Sequence, residues 1–440
     1  MAVLVLDKAK RPLMPCTPKR ARKLLAAGRA RVHRLFPFCI RLVDRRIEQS
    51  AVQPLRLSLD PGSKTTGLAI SRIAEVTDAE GVVEPVIHIV FLMELAHRGR
   101  AILESLHARA AMRRRRRSSR RYRAPRFANR TKPKGWLPPS LQHRINTTTT
   151  WVTRFRRLAP ITHLAQELVR FDMQLMQNPD ISGVEYQQGT LAGYEVREYL
   201  LEKFQRVCAY CDAKNVPLQI EHIHARARGG SNRISNLTLA CGPCNLKKDA
   251  RDIREFLAKD PARLARILKQ VKAPLRDAAA VNSTRWAVYR SLKQTGLPVE
   301  TGTGGRTKWN RSRLGIQKTH ALDAACVGVV AGVRGTNVPT LRVTCTGHGS
   351  RSRTRLNKYG FPRAYLTRKK TAFGFRTGDI VLAAVPTGKN KGMHKGRVAI
   401  RMSGNFNVQL GMARVPTVQG ISYKYCSVLQ RADGFGYVWL

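Results

Sequence analysis

Acid is what this sequence has little of. Twenty-eight Asp and Glu stand against 80 Lys and Arg in 440 residues, a formal net charge of +52. A compact body with that excess repels itself, so a chain working alone in solution is a poor fit. A lasting polyanionic partner is the simplest remedy, and nucleic acid is the commonest one. Long apolar runs are missing too. The longest, Ala324–Val333, is too short to span a bilayer, and no stretch reads as a signal peptide. That leaves a membrane as the weaker rival and sets the expectation of a cytoplasmic, nucleoid-associated protein with no membrane partner. An odd count of nine cysteines without a secretory signal argues against a disulfide framework. No internal repeat is present. Core-forming material is not lacking: the chain is 43% hydrophobic, and its length suits two to four domains at roughly 100–200 residues each.

The pattern of apolar residues lays out an order of elements. Residues 1–50 read as a short strand pair, a Pro-punctuated turn and a helix from about Pro18 to Ala27. "LRLSLDPGSKTTGLAIS" (55–71) reads as strand, Gly turn, strand, with Asp60 where the first strand ends. "EPVIHIVFLMEL" (84–95) is a further strand. "AILESLHARAAM" has helical spacing, and an arginine run continues it. After a Pro-rich basic connector the spacing predicts a helix over Ile161–Met176, then a short strand in "DISGVEYQQG" (180–189) ending near Glu185. Residues 190–250 look inserted. Helices resume from Ile253 to Gln294, and "KTHALDAACVGVVAGV" (318–333) reads as an apolar helix. From about Thr344, strands, glycines and basic turns predict an all-β module, a small barrel.

Three constellations carry chemistry. Residues 107–127 hold ten arginines and no acid. Guanidiniums fork onto phosphates, so Arg109, Arg113, Arg114, Arg115, Arg116, Arg117, Arg120, Arg121 and Arg123 are candidate phosphate contacts. The plainer reading is a disordered basic arm. Next, "CAYC" and "CGPC" place Cys208, Cys211, Cys241 and Cys244 in two C-x2-C knuckles 29 residues apart. Four thiolates close a tetrahedral zinc site with no open position, so that zinc would be structural; four unpaired core cysteines are the alternative. Last, Asp60, Glu185 and Asp323 each end an apolar element in an acid-poor chain, and His320 shares a helix face with Asp323. Converging carboxylates would demand divalent cations, and two magnesiums are the usual solution for phosphodiester hydrolysis. Any one of them alone reads as a turn residue.

Between the knuckles, "IEHIHARARGGSNRISNLTLACGPCN" resembles the HNH nuclease motif, a hairpin and helix around one metal. The resemblance implies His222 as general base, Glu221 and Asn245 as magnesium ligands, and Asn236 as the residue that orients the loop. The family usually has Asp or His where Glu221 stands, and often Pro where Ala225 stands. His224 would point the other way in a strand and reads as a solvated or phosphate-contacting histidine. "SLDPGSKTTGLAI", "GVEYQQG" and "THALDAA" together resemble the three split motifs of a RuvC-type domain on the RNase H fold. The order of these pieces, with "PLMP" at Pro12–Pro15, resembles IscB, a transposon-encoded nuclease guided by an omega RNA.

The resemblance implies an α/β multidomain protein. Its parts would be a PLMP domain (1–52), a first RuvC segment (53–98), an arginine-rich bridge helix (99–130) and a second RuvC segment with connector (131–192). A zinc-stabilised HNH module (193–252), a third RuvC segment (253–338) and a β-barrel-like domain (339–440) would follow. That last domain would recognise a target-adjacent motif in duplex DNA, or only RNA. Two magnesiums in RuvC, one in HNH, a structural zinc and a long structured guide RNA are the implied cofactors. The expected protein is a monomer in a ribonucleoprotein that cuts double-stranded DNA. A guide-independent, structure-specific DNA nuclease is the alternative.

Overall fold

The computed structural model describes residues 2–77, 83–119, 136–168, 197, 200, 201, 203–231, 233–272, 276–347, 353–359, 361–366, 369–410 and 417–440. The N-terminal segment is a four-stranded sheet with one helix: β1 (Val3–Leu6), β2 (Pro12–Cys16), α1 (Pro18–Ala26), β3 (Ala30–Arg34) and β4 (Cys39–Leu42), ordered β2-β1-β4-β3. Thr17 caps α1 by accepting a hydrogen bond from the Arg20 amide, with Pro18 at the first helical position.

The central sheet begins with β5 (Leu55–Pro61), β6 (Thr65–Thr77) and β7 (Val83–Ala96), an antiparallel meander. The arginine-rich helix α2 (Gly99–Ser119) and α3 (Pro139–Leu158) lead into β8 (Ile161–Glu167), which pairs in parallel with β5. This corrects the helix expected over Ile161–Met176 in its first part; residues 169–176 lie outside the described residues. "ITHLAQEL" can be read at helical spacing, but pairing against β5 decides for a strand, and short apolar runs are open to both readings. The inserted module contributes β9 (Leu218–His222) and β10 (Leu237–Cys241), an antiparallel hairpin, then α4 (Gly242–Lys248), α5 (Ile253–Phe256) and α6 (Pro261–Lys272). The chain returns through α7 (Arg276–Lys293), β11 (Val299–Gly302), α8 (Gly304–Arg313), the short α9 (His320–Ala325), β12 (Gly332–Arg334) and β13 (Thr340–Cys345). The expected apolar helix over 318–333 is therefore cut to six residues; Gly328 adopts a positive φ of 86° that a helix does not allow.

In the tail, β14 (Arg353–Leu356) pairs with β15 (Pro362–Leu366), and β16 (Thr371–Ala372) with β17 (Phe375–Arg376). β18 (Ile380–Val385), β19 (Gly392–Ala399), β20 (Asn405–Gln409), β21 (Thr417–Ser422) and β22 (Cys426–Gln430) form an antiparallel sheet ordered β21-β20-β19-β18-β22. Among the described residues its two edges do not pair, so the five strands do not close on themselves. The last strand, β23 (Phe435–Trp439), leaves that sheet and pairs with β13. The central order is β11-β8-β5-β6-β7-β13-β23, with β12 beside β7.

Strand alternation assigns the two faces of this sheet. Leu57, Leu59, Leu68 and Ile70 pack with Trp151, Phe155, Val288 and Leu292 of α3 and α7 in the main core. Ala69 and Leu92 face the other way, onto Ala321, Ala324 and Ala325 of α9. Small residues let α9 come close: a Cβ at Gly67 would overlap the His320 carbonyl. The N-terminal sheet is tied to the tail. Asp433 accepts from Arg34, from Arg154 at 3.0 Å and from the Tyr437 hydroxyl, while Phe36 stacks on Tyr437 at 5.3 Å. Among the described residues no helix is long and apolar enough to cross a membrane.

Candidate active sites

Asp60 and Glu167 leave the central sheet side by side. β5 and β8 run parallel, and their last registered pair is Leu59 with Gln166, so the next residues are Asp60 and Glu167. Both are buried. Asp323 and His320 reach the same place from the first turn of α9, which Thr319 caps by accepting from the Leu322 amide at 3.1 Å. The four residues line one cavity of about 460 Å³, into which Arg206, Lys214, Lys308 and Lys318 also point.

Each acid has a basic partner. His320 Nδ1 lies 2.8 Å from Asp60 Oδ2, Arg285 donates to Glu167 Oε1 at 3.1 Å, and Arg311 lies 2.9 Å from Asp323 Oδ1. Arg285 also donates from Nε to the Pro61 carbonyl at 2.9 Å, which ties the end of β5 to the end of β8. For Glu167 and Asp323 these partners do not offset the cost of crowding. Burial, then the charges of Asp60 and Asp323, push Glu167 up to about 8. Burial and Asp60 push Asp323 up to about 6, against Arg311, Lys318 and His320. The hydrogen bond to Asp60 raises His320. Carboxylates whose ionisation is opposed by burial and by each other are suited to a divalent cation, and their oxygens are the hard donors magnesium takes. Their ligand atoms are not drawn together as the cysteine sulfurs are: among the described residues, only the cysteines gather within 4.8 Å.

Glu185, the acid expected from the sequence, lies outside the described residues. The acid beside Asp60 is Glu167, which the helical spacing of "ITHLAQEL" conceals in the sequence. Only three of the seven residues in "ITHLAQE" are apolar, Ile161, Leu164 and Ala165, so no apolar run marked this segment as a strand.

The second centre is built on the hairpin β9–β10 and helix α4. Cys208, Cys211, Cys241 and Cys244 bring their sulfurs within 4.8 Å of one another, a group that can hold zinc. None is in a disulfide. This clasp joins the segment before β9 to the end of β10 and the start of α4, over a core of its own that includes Leu218, Leu237, Leu239 and Ile253. His222 ends β9 opposite Leu237. Asn236 pins the loop between the strands. Its Oδ1 accepts from the His224 amide at 2.9 Å, and its Nδ2 donates to the carbonyls of His224 and Ser231 at 2.9 and 2.8 Å. Asn245, on α4, donates from Nδ2 to Gln219 Oε1 at 2.7 Å, a bond that does not use its side-chain oxygen.

Glu221 is engaged by a residue the sequence reading did not single out. Buried Lys248, three residues beyond Asn245 on α4, donates to Glu221 Oε1 at 2.6 Å and to the His222 carbonyl at 2.8 Å. His224 is not simply solvated: its ring meets Asp252 Oδ2 at 3.2 Å and the Arg228 carbonyl at 2.8 Å. Gly230 is required here, because a Cβ would overlap the His224 carbonyl.

Two families match the chain: RRXRR protein over residues 3–189 and HNH endonuclease over residues 208–251. The inserted module is an HNH endonuclease domain. Its hairpin, helix and cysteine clasp, with His222, Asn236 and Asn245, all fall within the matched residues. No curated protein matches the chain. Solved structures with local similarity include the Type II-C Cas9 enzyme from Actinomyces naeslundii. It is 16% identical over 45% of this chain and 30% of that one, with a TM-score of 0.15. Streptococcus thermophilus Cas9 in complex with the GGAA PAM is 11% identical over 59% and 32%, with a TM-score of 0.22. The same protein with the AGAA PAM gives 10% over 60% and 32%, again at 0.22. The chain spans about a third of the length of these proteins.

Of the expected phosphate contacts, Arg109, Arg113, Arg114 and Arg115 are exposed on α2, and Arg116 and Arg117 are half-buried there. Arg120, Arg121 and Arg123 lie outside the described residues.

Proposed function

We propose that this protein is an RNA-guided DNA endonuclease of the IscB type, with two cutting centres in one chain. The observation that carries the reading is the meeting of Asp60, Glu167, Asp323 and His320 in a cation-lined cleft, beside a separate HNH domain. The strand order β11-β8-β5-β6-β7 with helices on both faces supports the reading of an RNase H-like core interrupted by α2 and by the HNH insertion. The net charge of +52 and the arginine face of α2 suit a resident RNA, whose A-form backbone is gripped by shape and charge while base pairing selects the target.

In the cleft, Asp60, Glu167 and Asp323 would hold magnesium, which supplies charge stabilisation for in-line attack on a phosphodiester. Glu167 takes the place first given to Glu185. His320, oriented through Nδ1 by Asp60, keeps Nε2 for proton transfer. Lys214, Lys308 and Lys318 draw the phosphate in. In the HNH domain His222 is the general base, Asn245 and Glu221 hold one magnesium, and Asn236 keeps the loop in place. Lys248 shares Glu221 and holds its carboxylate in place. The cysteine clasp holds a structural zinc. HNH cuts the guide-paired strand and the cleft cuts the displaced one.

The experiment has two steps. RNA that stays on the purified protein through a high-salt wash is sequenced, and a single structured RNA with a variable end is expected. Loaded with that RNA, His222→Ala should nick only the displaced strand and Asp60→Ala only the paired strand. Loss of both cuts from either single change, with RNA still bound, would overturn the division of labour. A chain that retains no discrete RNA and cuts branched DNA unaided is a guide-independent nuclease instead.

A further inference from the structure

Trp309 is the most exposed tryptophan among the described residues, at 55%. It stands on α8, and that helix is rigidly held. Its inner face carries Gly304, Thr307, Asn310 and Arg311, all buried. Asn310 donates to the carbonyls of Cys326 and Gly328, each at 2.9 Å, and Arg311 meets Asp323. The outer face carries Arg306, Trp309 and Arg313, at the i, i+3, i+7 spacing that puts them in one stripe. Arg313 lies 4.6 Å from the indole centroid and is anchored to the carbonyls of Val330 and Ala331 at 2.7 and 3.1 Å. Arg306 lies 5.9 Å from it. No acid stands on this helix.

The position matters as much as the exposure. Lys308, the preceding residue, lines the carboxylate cleft, as do Gly304 and Arg311. That cleft offers acids for metal and cations for phosphate, but among the described residues no Phe, Tyr or Trp lines it. Among the described residues, the ring best placed to stack a base of a strand whose phosphate enters it is outside the cleft, on α8. Unpaired bases seek a flat apolar partner, and an aromatic ring edged by arginine is the common platform for single strands.

The geometry points to Trp309 as a stacking platform for a base of the single DNA strand that the cleft cuts, with Arg306 and Arg313 on the neighbouring phosphates. This rests on the cleft being the site that cuts the displaced strand. A held base fixes the phosphate beside it, so Trp309 is a positioning residue rather than a catalytic one. Its loss weakens substrate capture and leaves the chemical step at saturation unchanged.

The test uses the full chain and a deoxythymidylate decamer, with EDTA present to prevent cutting. The decamer should quench tryptophan emission, and Trp309→Phe should lose that part of the quench while binding nearly as well. In single-turnover cutting of the displaced strand, Trp309→Ala should raise the half-saturating substrate concentration by roughly 5- to 150-fold, the range for one stacked base. Its rate at saturation should hold, and Trp309→Phe should restore capture. An unchanged quench in Trp309→Phe, or capture by Trp309→Ala equal to wild type, overturns the platform. So does quenching by a uridylate decamer but not by the DNA one. A Trp309-dependent quench in a protein that cuts no strand under any metal supports the platform and sinks the nuclease reading of the cleft.

Discussion

Glu167 and Glu185 differ in a way that a single substitution can read. Glu167 lies in the cleft with Asp60 and is held by Arg285. Glu167→Gln keeps the shape and the bond to Arg285 but removes the charge that would bind metal. It is expected to slow cutting of the displaced strand by ~100-fold or more and to leave the paired-strand cut intact. Glu185→Gln should leave both near wild type. Strand-resolved gels with the two ends labelled separately decide between them. The raised acids give a second prediction. A carboxylate whose folded value is raised holds its proton more tightly when folded, so its contribution favours folding below its ordinary range. That contribution fades as pH rises through about 6 for Asp323 and about 8 for Glu167. Without metal, the melting temperature of wild type should fall between pH 5 and 8.5 relative to the Glu167→Gln, Asp323→Asn double variant. Magnesium should raise the wild-type value more at pH 8.5 than at 5.5, because it binds the ionised form. Parallel curves for the two proteins would refute this account of the cleft.

Among the elements, the HNH domain has its own core, and its hairpin and helix are clasped by four cysteines. Zinc bound there would be folding free energy for this unit alone. Cys208→Ser, or removal of zinc by a chelator that leaves magnesium in place, should abolish the paired-strand cut and expose residues 200–270 to protease. Cutting of the displaced strand should continue. Loss of both cuts together would mean that the two centres do not fold separately. Helix α2 illustrates the other kind of element. Its arginines have few intramolecular partners in the described structure, Arg113, Arg114 and Arg115 are exposed, and the helix packs on α3.

For the whole molecule, +52 is too large a charge to be left to solvent. RNA binding should weaken steeply with salt, at about 0.7 in the log–log slope per phosphate contact on a single strand. Replacing Arg113, Arg114 and Arg115 with Gln should therefore lower the slope by roughly 2. Filter binding between 100 and 500 mM salt measures it, and an unchanged slope would remove α2 from the RNA contact surface.

Short-range chemistry was legible in the linear order. Two C-x2-C knuckles, the His–Asn spacing between them, a strand–Gly–strand turn around Asp60 and an unbroken basic run each act within a few residues, so spacing alone carries their meaning. The HNH module was readable for that reason. What the folded chain decided were the long-range meetings. Parallel pairing of β8 with β5 chose Glu167 as the partner of Asp60, across more than a hundred residues, and overruled the helical spacing of its own segment. Lys248 reached Glu221, Arg285 bridged two strand ends, and α9 stopped after six residues. Among the described residues, the tail gave its last strand to the central sheet and left its own five-stranded sheet open. Strand pairing and buried ion pairs depend on register between distant segments, and that register is fixed only when the cores on both faces of the sheet are packed.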